Sequence, residues 1–152
     1  MTQTILVQDF MTESPHSIGV TLTVGDAKNM MRAYEIRHLP VLEKGTLVGV
    51  LSDRDVQMIE IIAGKGADEV SVEQAMSQVV YTVSPTTPLQ VCALHMYRHK
   101  LGSAVVMDGT KIVGVFTTTD AMRALSEVLE SLDEKPPRLG AIVAVKEKSA
   151  AR

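Results

Sequence analysis

Two four-residue segments carry the side chains best suited to chemistry in this chain: Ser52-Asp53-Arg54-Asp55 and Thr117-Thr118-Thr119-Asp120. In each, a hydroxyl stands three residues before a carboxylate, after a short apolar run and before a helical pattern. That spacing makes a capping box, in which hydroxyl and carboxylate satisfy free amides of a helix's first turn. It also suits a nucleotide. Helix N-terminal amides and nearby hydroxyls donate to phosphate, whereas an Asp repels phosphate and accepts hydrogen bonds from a neutral ribose diol. Arg54 adds a planar fork for phosphate in the first segment. The second has only hydroxyls. Recurrence at the ends of two strands, where open α/β layers place ligands, favours ligand binding over capping alone.

The elements that position these segments are themselves written twice. A constant offset of 65 residues, from Val7 to Val72, also sets Met11 on Met76, Thr21 on Thr86, Met31 on Met96, Val41 on Val106, Val48-Gly-Val50 on Val113-Gly-Val115, and Asp55 on Asp120. A fixed period is the signature of a repeat architecture. In copy one, Val24, Ala27, Met30 and Met31 have helical spacing, followed by strands Leu39–Leu42 and Leu47–Leu51 and a helix from about Arg54 to Ala63. Copy two repeats the order: a helix with Leu89, Cys92, Ala93 and Met96, strands around Ala104–Met107 and Ile112–Phe116, and a helix from Ala121 to about Leu132. Glycines in Glu43–Thr46 and Met107–Thr110 predict hairpins, Asp108-Gly109 being the stronger signal. The strand Leu47-Val-Gly-Val-Leu51 lacks polar alternation, which predicts burial on both faces. A unit of this size buries too little surface alone, so two copies should pack together. The expected boundaries are repeat one over 5–63, a linker over 64–70, repeat two over 71–132 with a capping box at Ser71–Gln74, and a tail over 133–152 in which Ala141–Val145 could form a last strand.

Other candidates are weaker. His95 and His99 have the i, i+4 spacing of metal ligands, but no third ligand is evident, so no metal is expected. Cys92 lies on an apolar stripe and reads as a small buried hydrophobe. No Ser-His-Asp order, P-loop or carboxylate pair suggests an enzyme. A net charge of −3 without a basic block argues against nucleic acid as a partner. No apolar run reaches the ~20 residues of a membrane span, and Met1–Phe10 lacks the regions of a signal peptide, so a cytoplasmic protein is expected.

The runs Ile36-Arg-His-Leu-Pro-Val41 with Gly49 and Ser52–Asp55, and Leu101-Gly-Ser-Ala-Val-Val106 with Gly114 and Thr117–Asp120, resemble the hallmark of a CBS domain, with Val105 where the usual Pro stands. The chain is similar to a tandem CBS-domain pair, or Bateman module, over about residues 5 to 130. The resemblance implies an α/β (α+β) fold of two β-α-β-β-α units, related by a pseudo-two-fold axis and packed sheet to sheet. It also implies two crossed clefts for adenosine derivatives. One would join Ser52, Arg54 and Asp55 to Val79, Val80, Tyr81, Gly102 and Ser103. The other would join Thr117, Thr119 and Asp120 to Ser14, Pro15, His16, Arg37 and His38. The ligand expected is AMP, ADP or ATP, with NADH and S-adenosylmethionine as related adenosyl ligands. The function expected is non-catalytic regulation or energy sensing, as a homodimeric disk that signals to a separate target protein. Ile59, Ile62, Leu125 and Leu129 are the candidates for the dimer contact. The competing reading is a ligand-free dimerisation scaffold whose hydroxyl–carboxylate pairs are only caps.

Overall fold

A computed structural model of the 152-residue chain describes residues 3–13 and 16–133. The strand expected over Ala141–Val145 lies outside these residues. Two three-stranded sheets carry the architecture. In the first, β1 (Ile18–Gly19) runs parallel to β2 (His38–Glu43), which pairs antiparallel with β3 (Thr46–Ser52). Between them run α1 (Val24–Tyr34) and, after β3, α2 (Asp53–Ala63). A 3₁₀ segment, Gly64–Glu69, and the short α3 (Val72–Ala75) lead to the second copy. That copy contains β4 (Thr82–Val83), α4 (Leu89–His99), β5 (Ser103–Asp108), β6 (Lys111–Thr117) and α5 (Thr118–Leu132), paired in the same way. The two-fold sequence repetition is thus a two-fold structural one.

Local chemistry explains the element ends. Thr23, Ser52, Ser71 and Thr117 each close a capping box, so four helices begin where a hydroxyl satisfies an N3 amide and an N3 side chain returns the bond. Helix α5 starts at Thr118, ahead of the expected Ala121, because its cap is Thr117. The hairpins differ from each other. Lys44 and Gly45 both have positive φ, as the two central residues of a type I′ turn require. In copy two Asp108 pairs with Lys111 at the end of the ladder, so the turn is Gly109-Thr110 and only Gly109 has positive φ. Both hairpins carry the same register shift, between Val41 and Leu42 and between Val106 and Met107, so the two turns occupy equivalent positions and differ only in their residues and φ.

The cores do not follow the chain boundaries. One cluster holds Ile18, Val24, Ala27, Met31, Leu39, Val41, Leu51 and Val56 of copy one, together with Val72 from beyond the linker. The other holds Leu89, Cys92, Met96, Ala104, Val106, Phe116 and Ala124 of copy two, together with Val7 and Phe10 from the N-terminus. The segments that precede each copy are therefore exchanged. Thr12 exchanges two backbone hydrogen bonds with Val115 on β6 (2.9 and 3.0 Å), and Ser77 does the same with Val50 on β3 (2.9 and 3.0 Å). Gly49 and Gly114 permit this close approach. A Cβ on Gly49 would lie 2.8 Å from the Ser77 carbonyl oxygen, and one on Gly114 would lie 2.7 Å from that of Thr12. The expected burial of β3 on both faces is only partly realised: Val48 and Val50 are half-buried, because the face away from the helices meets the exchanged segment and a cleft.

Candidate functional site

The Ser52–Asp55 segment opens on a cleft of about 1270 Å³. Ser52 ends β3 and caps α2. Its hydroxyl accepts from the Asp55 amide at 3.1 Å, while its own amide and hydroxyl both donate to Asp55 Oδ2 at 2.8 Å. The cap uses one carboxylate oxygen. Among the described residues Oδ1 of Asp55 has no hydrogen-bond partner, and it remains as an acceptor half-exposed in the cleft.

All eight residues expected around Asp55 line this cleft: Ser52, Arg54 and Asp55 from copy one, and Val79, Val80, Tyr81, Gly102 and Ser103 from copy two. Arg37 and His38, expected at the other cleft, line it as well. His38 begins β2 opposite Ser52, and its Nε2 would sit 3.4 Å from a Cβ on Gly102. Burial pushes the His38 imidazole below its ordinary 6.5; Asp55 opposes this, Arg37 reinforces it, and Asp120 and Asp53 oppose it. Burial thus favours the neutral imidazole despite three nearby carboxylates.

Lys100 is a lining residue that the motifs did not indicate. It is the left-handed C-cap of α4, with φ 56°, and its ammonium lies 5.0 Å from the centre of the Tyr97 ring. The equivalent C-cap of α1 is Glu35, with φ 54°. Aligning the two copies reveals the charge reversal. Arg37, Arg54 and Lys100 therefore put three cations on the cleft, against Asp53 and Asp55. An anion with a neutral polar end suits that arrangement.

Tyr81 is braced from behind. Its ring stacks on His95 with centroids 4.1 Å apart, and His95 meets His99 at 4.3 Å. Neither histidine had been linked to the cleft by spacing. Burial pushes the Cys92 thiol up to about 11 against a contact with Tyr81 that lowers it, so the thiol is no nucleophile at neutral pH. Among the described residues no group of three or more metal-type ligands converges.

The second segment has a different environment. Asp120 is only 9% exposed. Its Oδ2 accepts from the Thr117 amide (2.9 Å) and hydroxyl (3.1 Å), and its Oδ1 accepts from the Thr12 hydroxyl at 3.1 Å. Thr117, Thr119, Asp120 and His16 do not line the large cleft; Thr118 does. His16 stacks on Tyr34 with centroids 3.7 Å apart. Ser14 and Pro15 lie outside the described residues.

The outer faces of α2 and α5 are apolar. Met58, Ile61 and Ile62 of α2 and Met122, Leu125, Leu129 and Leu132 of α5 are all exposed. Ile59, expected on this face, packs instead against the first core, since it lies one turn from the buried Val56. No described helix is long and apolar enough to cross a membrane.

Comparison with known proteins agrees with the two-copy fold. The family model described as CBS domain matches twice, over residues 7–59 and 72–127. A crystal structure of a Vibrio cholerae protein named for acetoin utilization, AcuB, is 32% identical with a TM-score of 0.73, covering 89% of this chain and all of that one. The structure of CBSX2 in complex with AMP is 27% identical with a TM-score of 0.67, covering 82% of this chain and 98% of that one. A homoserine O-acetyltransferase of Methanocorpusculum labreanum is 32% identical over 125 residues, 82% of this chain but only 24% of that protein.

Proposed function

This chain belongs to the CBS domain family, and we propose on that premise that it is a non-catalytic regulatory module that binds an adenine nucleotide beside Asp55. One observation carries the reading: eight positions drawn from both repeats converge on one cleft. The unengaged Oδ1 of Asp55 accepts a hydrogen bond from the ribose. Arg54, Arg37 and Lys100 supply charge for one or more phosphates, and Val79, Val80 and Tyr81 supply an apolar wall for the base. The AMP bound by CBSX2 supports the ligand class. Because the site spans both repeats, a ligand that prefers one relative placement of the copies shifts the module toward it by that difference in affinity. The exposed apolar faces of α2 and α5 support a homodimer, which passes the change to a separate target protein. The same faces favour the second reading, a dimerisation scaffold with an empty cleft.

Thermal melting with AMP, ADP, ATP, NADH and S-adenosylmethionine separates the two readings. A ligand at 100 times its dissociation constant stabilises by about 2.7 kcal/mol, which at ~2–4 °C per kcal/mol for a chain of this size is roughly 5–11 °C. Asp55→Ala should abolish the shift, besides losing a cap worth about 1 kcal/mol. No shift with any of the five in the unaltered protein would leave the scaffold.

A further inference from the structure

We propose that Thr12 is a built-in occupant of the Asp120 carboxylate, so that the chain takes one nucleotide rather than two. The inference rests on the reading of Asp55 as the residue that holds a ribose diol. The two carboxylates are equivalent by sequence, and each gives Oδ2 to its own capping residue. They differ at Oδ1. That atom lacks a partner among the described residues at Asp55, whereas at Asp120 it accepts from the Thr12 hydroxyl at 3.1 Å, a bond shared with Oδ2 at 3.3 Å. A ribose hydroxyl at Asp120 would need the position that the Thr12 hydroxyl holds.

The residue equivalent to Thr12 is Ser77, reached by the same crossing over a strand glycine. Ser77 faces elsewhere: its hydroxyl accepts from the Val79 amide at 3.2 Å, and it lines the open cleft. The Ser77 hydroxyl is thus turned back on its own loop, whereas the Thr12 hydroxyl is turned onto the Asp120 carboxylate. The N-terminal segment is also held in place more firmly than the linker. Arg123 donates to the Phe10 carbonyl at 3.0 Å, and its guanidinium lies 5.0 Å from the centre of the Phe10 ring. In copy one the corresponding pair is Met58 and Ala75, which can make neither contact. Thr12 itself is exposed, so its side chain can be changed without opening either core.

Equilibrium dialysis of the full chain against ATP, and in parallel AMP, tests this. The unaltered protein should bind one equivalent per chain, Thr12→Ala two, and Thr12→Ser, which keeps the donor, one. The second equivalent should disappear when Asp120→Ala is added to Thr12→Ala, whereas with 2′,3′-dideoxy-ATP, which has no hydroxyl for either carboxylate, both equivalents should be lost. One equivalent in both the unaltered protein and Thr12→Ala, or two in the unaltered protein, overturns the occupancy by Thr12 while leaving the Asp55 site standing. Binding gained only in Thr12→Ala supports the occupancy and removes the Asp55 site. No binding in either protein overturns both.

Discussion

Gly49→Ala tests the exchange of segments independently of any ligand. The new Cβ would lie 2.5 Å from Met76 Sδ and 2.8 Å from the Ser77 carbonyl oxygen. The thioether is the mobile end of a side chain and can swing aside. The carbonyl cannot, because it accepts from the Val50 amide at 3.0 Å while the Ser77 amide donates back to Val50 at 2.9 Å. An ordinary C···O contact is at least about 3.3 Å, so the segment must retreat by about half an ångström and stretch both bonds. Overpacking of this kind costs about 1–3 kcal/mol, and each weakened backbone bond about 0.5–1.5 kcal/mol. A central value of about 3 kcal/mol lowers Tm by roughly 6–12 °C. Gly114→Ala, against the Thr12 carbonyl at 2.7 Å, should fall in the same range. Gly19→Ala is the control: nothing lies within 4 Å and its φ is not positive, so it should match the parent or gain about 0.4–1 kcal/mol. Calorimetric melts of the three variants decide the matter. If Gly49→Ala and Gly114→Ala both stay within about 2 °C of the parent, the close crossing does not fix the segments and the reasoning fails.

Two further outcomes follow from the site and the surface. Because burial holds His38 below 6.5, the unfolded chain takes up a proton first as pH falls; stability should be full above about pH 6.5 and decline below it. His38→Gln should flatten that part of a urea-denaturation pH series, and an unchanged slope would remove His38 as its source. The exposed face formed by Ile61, Ile62, Leu125 and Leu129 should pair with a second copy. Light scattering should report a dimer that Ile62→Glu with Leu129→Glu converts to a monomer, and a monomeric parent would refute the pairing.

Much of this arrangement was legible in the chain because its signals are local. Helix caps at Ser52, Ser71 and Thr117 and the apolar strands at matched positions are short-range patterns, and each formed where its spacing indicated. What escaped depends on tertiary placement. Helix α2 is apolar on most sides, so periodicity could not tell that Ile59 turns inward while Met58 and Ile61 turn out. The meeting of Tyr81 with His95 joins a loop to a helix, which no single spacing encodes. Thr12 and Asp120 are 108 residues apart, and only the exchange of segments brings them together. The reversal from Glu35 to Lys100 was visible in the aligned copies but acquires meaning only once Lys100 is seen to line the cleft.

The exchange of leading segments also sets an order of events during synthesis. Val7 and Phe10 leave the ribosome roughly a hundred residues ahead of Phe116 and Ala124, with which they share a core. At about 5–20 residues per second, the N-terminal segment waits several seconds without its partner strand. The first core is completed sooner, at Val72. Copy one can therefore consolidate while copy two is still being made, and the second core closes only when the Val7–Phe10 segment returns to α5, where Arg123 fastens it to Phe10.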